Sequence, residues 1–166
     1  MKKIIALAAI AALSTVAQAD GFYAGGDVGN ARWKDDGATF KDTSFAVFGG
    51  YNFSDNVAVE LGYRNLGKDT VRVLNVPVTV KANALQVSAV LSAPLSTDFA
   101  VFGRLGVNRI EVKNSFAGGN GKDNETKALI GFGARYAISK EFGLRAEFQK
   151  PASNIRVLSI GADYRF

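Results

Sequence analysis

Apolar and polar residues alternate along most of the chain beyond residue 21, which is the pattern of β-strands with one apolar face. In the last segment, Leu158, Ile160, Ala162, Tyr164 and Phe166 share one face, and the residues between them are mostly small or polar. Seven further segments alternate in the same way, and none shows the period of an amphipathic helix. The pattern therefore predicts an all-β protein of eight strands.

The connections between these strands are expected to alternate in length. Each strand is predicted to have roughly ten residues, which is the length that a tilted strand needs to cross a bilayer. Short turns are expected near residues 54–55, 93–94 and 139–140. Longer polar loops are expected at about 33–42, 67–79 and 113–126, with a smaller one at 151–155. This asymmetry predicts an eight-stranded antiparallel up-and-down transmembrane β-barrel.

The alternation alone also fits a soluble barrel with an apolar interior, so the direction of the two faces needs further observations. Glycine is frequent on the polar face, which suits a narrow and crowded lumen. Aromatic residues gather at the strand ends beside the short turns, as in an interfacial girdle: Phe22, Phe53, Phe99, Tyr136, Phe142, Tyr164 and Phe166. These features favour a membrane barrel with its polar face inside.

Residues 1–19 have the three parts of a secretory signal peptide: two lysines, an apolar run at residues 4–13, and small residues before a cleavage point. Cleavage is expected between Ala19 and Asp20, which leaves residues 20–166 as the barrel domain. The apolar run is about half of the ~20 residues that a membrane-spanning helix needs. We therefore expect an exported protein whose leader is removed.

The composition limits the kinds of catalytic or metal site that we expect, because the 166 residues include no cysteine and no histidine. This excludes thiolate nucleophiles, and it removes the commonest general base and metal ligand. Ser88 and Ser159 would have no ordinary base to activate them, so we expect neither an enzyme nor a cofactor or metal. The formal charge of +5 includes the two leader lysines, and 5 − 2 leaves +3. Without a clustered Lys/Arg stripe, no nucleic-acid partner is expected.

Charged residues occur on the polar face of the predicted strands. An arginine that faced lipid at the bilayer midplane would cost about 2–4 kcal/mol, so these residues are expected to face the lumen and to pair there. The expected lumen network consists of Asp27, Glu60, Arg104, Arg135, Arg145, Glu147 and Asp163. Since eight strands enclose little more than side-chain volume, a plug that fills the barrel is the main expectation, and a gated ion path is the alternative.

Aromatic residues also occur in or beside the predicted long loops, at Trp33, Phe40 and Phe116. We expect them to anchor the barrel at the membrane interface, where amphipathic rings are favoured. Binding of a ligand or receptor through the same loops is the alternative.

Several short motifs follow one another in an order that resembles the transmembrane domain of the OmpA family. Phe48-Gly49-Gly50-Tyr51, continuing to Glu60-Leu61-Gly62-Tyr63, resembles the hairpin between the second and third strands of that family. Arg104-Leu105-Gly106, then Arg145-Ala146-Glu147-Phe148-Gln149, then Tyr164-Arg165-Phe166 follow in the same order. The resemblance extends over essentially the whole mature chain.

The resemblance implies a barrel in the lipid of the outer membrane. The barrel-assembly machinery would insert it through the terminal strand, with Tyr164 and Phe166 as the insertion signal. We expect a monomer that lacks the family's peptidoglycan-binding periplasmic domain. A structural role in envelope integrity is the main expectation, and a narrow low-conductance pore or a surface-loop adhesin are the alternatives.

The resemblance also implies that Glu60 and Arg145 pair across the lumen. From their positions on the polar face, Arg104 and Arg135 are expected as further partners of Glu60, and Asp27 and Glu147 as further partners of Arg145. The family's gating partners do not all carry over. A lysine of the fourth strand is replaced by Val90, an acid of the sixth by Arg135, and a lysine of the first by Asp27.

Overall fold

The backbone forms a closed barrel of eight antiparallel strands, in which each strand pairs with its sequence neighbours and the last strand pairs with the first. The computed structural model describes residues 21–35, 38–73, 76–116 and 119–166, without the side chains of residues 34–40, 68–80, 113–120 and 122. The strands are β1 (Phe22–Asp35), β2 (Ala38–Asn52), β3 (Val57–Val73), β4 (Val76–Pro94), β5 (Phe99–Phe116), β6 (Gly119–Ala137), β7 (Phe142–Ala152) and β8 (Ile155–Arg165). The predicted eight-stranded antiparallel barrel is confirmed.

The predicted leader, with Ala19 and Asp20 at its cleavage site, lies outside the described residues, as do the side chains of Phe40 and Phe116. Within the described residues, no helix combines the length and the apolar character needed to cross a membrane.

The strands are longer than predicted, since they have 11 to 19 residues. Most of the three segments expected to be long loops are continuations of the strands: β1 and β2 stay paired as far as Asp35 and Ala38, and β3 and β4 as far as Val73 and Val76. The physical reason is that an antiparallel ladder satisfies backbone groups whatever the side chains are. The apolar alternation ends, but the pairing does not.

The short turns lie where the pattern indicated, with one shift. They occupy residues 53–56, 95–98 and 138–141, so the second turn begins one residue after the predicted 93–94. The aromatic residues beside these turns form edge-to-face groups on the outer surface. Phe142, Tyr164 and Phe166 form one such group, with ring centroids 4.8 and 5.2 Å apart.

Side chains separate onto two faces with the period of two that the sequence predicts. In β8, Leu158 and Ile160 are exposed outward by 63% and 66%, whereas Val157, Ser159 and Asp163 are buried in the barrel. The outer face is therefore apolar, and most ionised side chains of the membrane-crossing part point inward.

The lumen holds two apolar groups of side chains at different levels. The turn-side cluster lies towards the short turns and consists of Tyr23, Phe48, Ala58, Val90 and Phe102. The hairpin-side cluster lies towards the long hairpins and consists of Ala31, Leu66, Ala82, Ala84, Ile110, Ala152, Ile155 and Val157. Trp33 packs against the hairpin-side cluster, so its prediction as an interfacial anchor is wrong. It lies on the inner parity of β1, which continues past the membrane-crossing part.

Candidate functional site

Four ionised side chains lie in the lumen between the two apolar clusters. Glu60 of β3, Arg104 of β5, and Arg145 and Glu147 of β7 all occupy inward positions of their strands. Each residue is at most 7% exposed. We call these residues the ion-pair quartet.

The quartet is a closed ring in which the sign of the charge alternates. Glu60 contacts Arg104 at 2.5 Å and Arg145 at 3.0 Å between side-chain oxygen and nitrogen atoms. Glu147 contacts the same arginines at 2.6 and 2.9 Å. Each ion therefore has two partners of opposite charge, and the ring is neutral. Burial of an ion is costly unless it is paired and hydrogen-bonded, and this geometry meets both conditions.

Polar side chains around the quartet complete its hydrogen bonds. The hydroxyl of Tyr23 donates to Glu60 Oε2 at 3.1 Å. The Arg104 guanidinium donates to Ser88 Oγ at 2.7 Å. On the hairpin side, the Gln149 amide donates to Glu147 Oε1 at 2.8 Å. These bonds link the quartet to β1, β4 and the next level of the lumen.

Aromatic rings hold the Arg145 guanidinium on the turn side. Its central carbon lies 4.4 Å from the centroid of the Phe48 ring and 4.9 Å from that of Phe102. Both distances are within the range of cation–π attraction, which is stronger where water is excluded. The turn-side cluster therefore positions an arginine as well as filling space.

One further ion pair lies on each side of the quartet, and each of these two pairs joins strands that are two apart in the barrel. Arg64 of β3 binds Asp27 of β1 through two hydrogen bonds of 2.9 and 2.7 Å. Arg135 of β6 binds Asp163 of β8, with a shortest contact of 2.7 Å. The Arg135 guanidinium crosses Gly143 of β7 so closely that a Cβ there would collide with it. The small residue leaves room for the bridge.

All seven residues of the expected lumen network face the interior, but the structure joins them differently from the expected pairing. Glu60 contacts Arg145 and Arg104, and Arg145 contacts Glu147. The expected contact of Arg135 with Glu60 and that of Asp27 with Arg145 are replaced by the two separate pairs. Strand register and the reach of a side chain decide this choice, and neither can be read from alternation.

Sequence reasoning also missed several members of the site. Arg64 is 1% exposed and pairs with Asp27, but it is not among the seven residues predicted to form the lumen network. Tyr23, Ser88 and Gln149 were not predicted as hydrogen-bond partners of these ions either. Their inward parity was visible in the sequence, but parity does not show which neutral group reaches an ion.

The structure leaves little room between the quartet and the Arg135–Asp163 pair. A cavity of about 40 Å³ lies there, lined by Tyr23, Glu60 and Arg145 among others. This space holds only a few water molecules. Among the described residues, no group of acidic side chains could hold a metal ion.

The residues expected to direct insertion lie at the end of β8. Tyr164 faces outward and contacts Phe142 and Phe166, with ring centroids 4.8 and 5.2 Å apart. The Phe166 backbone N–H donates to the carbonyl of Phe22 at 3.0 Å, so the chain end is tied to β1.

Residues 17–166 match the family model of the OmpA-like transmembrane domain. The chain belongs to this family. It is a small β-barrel protein of the outer membrane, and its OmpA-like barrel sits in the lipid bilayer.

Relatives with curated descriptions carry the same family name. Outer membrane protein A of Yersinia pseudotuberculosis serotype I (strain IP32953) is 34% identical over 197 residues, covering 99% of this chain and 55% of the relative. Outer membrane protein A of Salmonella typhi is 33% identical over 195 residues, with the same coverage of 99% and 55%. The OmpA-like chain thus spans about half the length of the curated relatives it matches.

Solved structures share the fold of this OmpA-like barrel. Neisserial surface protein A superposes with a TM-score of 0.71 at 16% identity, covering 89% of this chain and 98% of that chain. Ail of Yersinia pestis, in complex with the heparin analogue sucrose octasulfate, gives 0.66 at 18% identity, with coverage of 89% and 99%. The N-terminal barrel of Pseudomonas aeruginosa OprF gives 0.66 at 16% identity, with coverage of 89% and 98%.

Proposed function

We propose that this OmpA-like barrel has a structural role in the integrity of the outer membrane. The observation that carries the proposal is the ion-pair quartet, whose four buried charges are each held by two opposite charges. Side chains are enough to fill a barrel of eight strands. A filled and internally paired lumen stiffens the wall without providing a route through it.

Permeation would have to overcome two kinds of barrier in this lumen. An ion on the barrel axis would have to displace the quartet, whose arginines and acids would then lose buried partners. It would also have to pass both apolar clusters, and constrictions lined by apolar groups resist hydration. Both barriers support a structural role over transport.

The role is tested in a strain that lacks this chain. Release of a periplasmic reporter enzyme and sensitivity to detergent should both rise, and the unaltered chain should restore them. A chain with Lys140→Gln, which changes an exposed residue of a short turn, serves as the matched control and should also restore them. An intact envelope in the strain that lacks the chain would argue against the proposal.

A narrow pore is a second candidate, which the doubled contacts of the quartet favour. Glu60 and Glu147 each bind both arginines, so one contact can break while the other holds. Such an exchange of partners could open a path transiently. Chloride efflux from liposomes that contain the purified barrel tests this candidate. Efflux above that of protein-free liposomes would favour the pore.

Export and insertion form a further part of the proposal. We propose that residues 1–19 are removed between Ala19 and Asp20, and that the barrel-assembly machinery recognises Tyr164 and Phe166. The outward aromatic contact of these two residues supports this role. Mass spectrometry of the mature protein tests the cleavage site, which predicts Asp20 as the first residue.

Deletion of Phe166 tests the insertion signal. We expect a lower yield in the outer membrane of cells, with little change in refolding in detergent. The matched control is Phe53→Ala, which removes another exposed aromatic of the girdle. Equal losses of outer-membrane yield for both variants would show that Phe166 acts as a girdle residue and not as an insertion signal.

The adhesin hypothesis stays a prediction, because the hairpin tips at 36–37, 74–75 and 117–118 lie outside the described residues.

A further inference from the structure

Three exposed cationic residues lie side by side on the outer face of the barrel. Arg32 of β1 is directly opposite Lys41 of β2 and, in the other ladder, directly opposite Arg156 of β8. Lys150 extends this row onto β7, where it is partly exposed. Neighbouring strands are only about 4.8 Å apart, so four positive charges are crowded on one side of the barrel. We call Lys41, Arg32, Arg156 and Lys150 the cationic row.

Among the side chains that the structure describes, none compensates the charge of the cationic row. Like charges directly opposite one another destabilise a sheet. Across the described residues, no ion pair or hydrogen bond engages the side chains of the row. The next outward residues towards the membrane are Asn30 in β1, Thr43 in β2 and Leu158 in β8, none of which is acidic. The row therefore presents a positive surface suited to an external anion.

An apolar groove of about 820 Å³ lies on the same side of the barrel, closer to the short turns. Its outward floor is made of small residues, and larger apolar side chains rise beside it. The small residues are Gly26, Ala134, Ala146 and Ala162, and the flanking ones are Val28, Phe99, Tyr136, Leu144 and Ile160.

The groove and the cationic row share the β1–β8 ladder. The pair of Val28 and Ile160 lies four residues from the pair of Arg32 and Arg156 along both strands, on the side of the short turns. Four residues of strand span about 13 Å. A ligand that is anionic at one end and apolar beyond it can therefore occupy both features at once.

We propose that the cationic row and the groove together bind a membrane lipid whose headgroup carries phosphate. The phosphates would lie on the row, and an acyl chain would lie in the groove. The row lies towards the long hairpins, and in this class of barrel the short turns face the periplasm. The lipid is therefore one of the outer leaflet, a phosphorylated glycolipid. Lysine and arginine at a membrane surface attract anionic headgroups, and each further cation adds to the attraction.

The test uses the full chain in phosphatidylcholine nanodiscs that contain a small fraction of diphosphorylated lipid A. Native mass spectrometry counts the lipid A molecules bound to each barrel. We expect Arg32→Gln/Arg156→Gln to weaken binding by about fivefold for each charge removed. The matched control, Arg109→Gln/Lys140→Gln, removes two exposed cations, one on β5 and one in a short turn, and should bind like the unaltered chain.

Two additional variants separate the headgroup from the acyl chain. Arg32→Lys/Arg156→Lys keeps the charge and should retain most of the binding. Ala162→Phe fills the groove and should weaken binding of lipid A while leaving the row intact. Migration on gels with and without boiling shows whether each variant is folded. If Arg32→Gln/Arg156→Gln does not fold, the single variant Arg156→Gln replaces it.

Three results would overturn the proposal. Unchanged binding by Arg32→Gln/Arg156→Gln would show that the row is not the site. Equal losses for this variant and its control would indicate a general effect of charge. The third result concerns heparin, a soluble polyanion, added to the barrel in nanodiscs of pure phosphatidylcholine. If heparin bound as tightly as lipid A, the row would be a site for a soluble polyanion and not for a lipid.

Discussion

The middle and the hairpin side of the lumen are both filled, but by different means. In the middle, four ions hold one another at 2.5 to 3.0 Å, and each position depends on a particular partner. On the hairpin side, the space is filled by alanines such as Ala31 and Ala84, with Leu66, Ile110 and Val157 between them. Packing in the middle depends on the direction and the charge of particular side chains, whereas packing on the hairpin side depends on side-chain volume.

This difference predicts two distinct responses to substitution. Removing one member of a buried ion pair leaves an uncompensated charge, and the cost depends on which partners remain. Removing methyl groups from an apolar cluster costs transfer free energy and leaves a cavity, with no charge involved. The following variants test whether the two regions differ in this way.

The largest effect is expected from Glu60→Ala/Glu147→Ala. Arg104 and Arg145 would then be buried without any acid of the quartet, and the free energy of unfolding should fall by at least about 3–5 kcal/mol. Urea unfolding in lipid vesicles measures the change. The control, Glu125→Ala/Glu141→Ala, removes two exposed acids. A loss no greater than that of the control would show that the quartet contributes nothing to stability.

The hairpin side is tested by Leu66→Ala, at a position that is 1% exposed. We expect a loss of about 3 kcal/mol from lost transfer free energy and the remaining cavity. Leu66→Met conserves the volume and should cost less than about 1.5 kcal/mol. Both values should be the same at low and high salt. A strong dependence on salt would contradict the assignment of this region to packing alone.

The single variant Glu60→Ala should have a smaller effect than the double variant. Glu147 still contacts both arginines, so we expect a loss of about 1–3 kcal/mol. The same measurement on Glu60→Gln separates charge from volume, because the amide keeps the space filled. If Glu60→Ala cost as much as the double variant, Glu147 would not share the network.

The smallest effect is expected at Gly143, on the turn side of the quartet. A methyl group there would collide with the Arg135 guanidinium, whose side chain is 17% exposed and can move aside. We expect Gly143→Ala to lower the free energy of unfolding by less than about 1 kcal/mol, because the guanidinium can move away from the added methyl group. In the background of Arg135→Ala the cost should disappear, which a double-mutant cycle detects. Additive costs would mean that the bridge over Gly143 does not exist.

The parts of the fold that follow from backbone geometry could be predicted from the sequence. A period of two fixes the two faces of a strand, so the inward positions of Glu60 and Arg145 followed from the pattern. The strand ends did not, because β1 and β2 continue to pair through polar residues up to Asp35 and Ala38. Backbone pairing beyond the membrane does not require alternating hydropathy, so the sequence pattern does not show it.

The choice of ion-pair partners could not be predicted either, although a usable signal exists. Asp27 and Arg64 lie on strands two apart, and both are directly opposite the small Ala46 on the strand between them. Arg135 reaches Asp163 across Gly143, which is directly opposite Asp163 and two residues from Arg145, the residue opposite Arg135. An inward small residue therefore indicates a bridge when the two neighbouring strands carry opposite charges at the facing positions or within two residues of them, once the register is known.

Single-channel recording in planar bilayers tests most directly whether the ion-pair quartet closes the lumen. The unaltered barrel should show no steady conductance, and Glu60→Ala should show a measurable one, because it removes a side chain from the ring. Leu66→Ala should stay closed, since the quartet remains in place. A steady conductance of the unaltered barrel equal to that of Glu60→Ala would contradict the account.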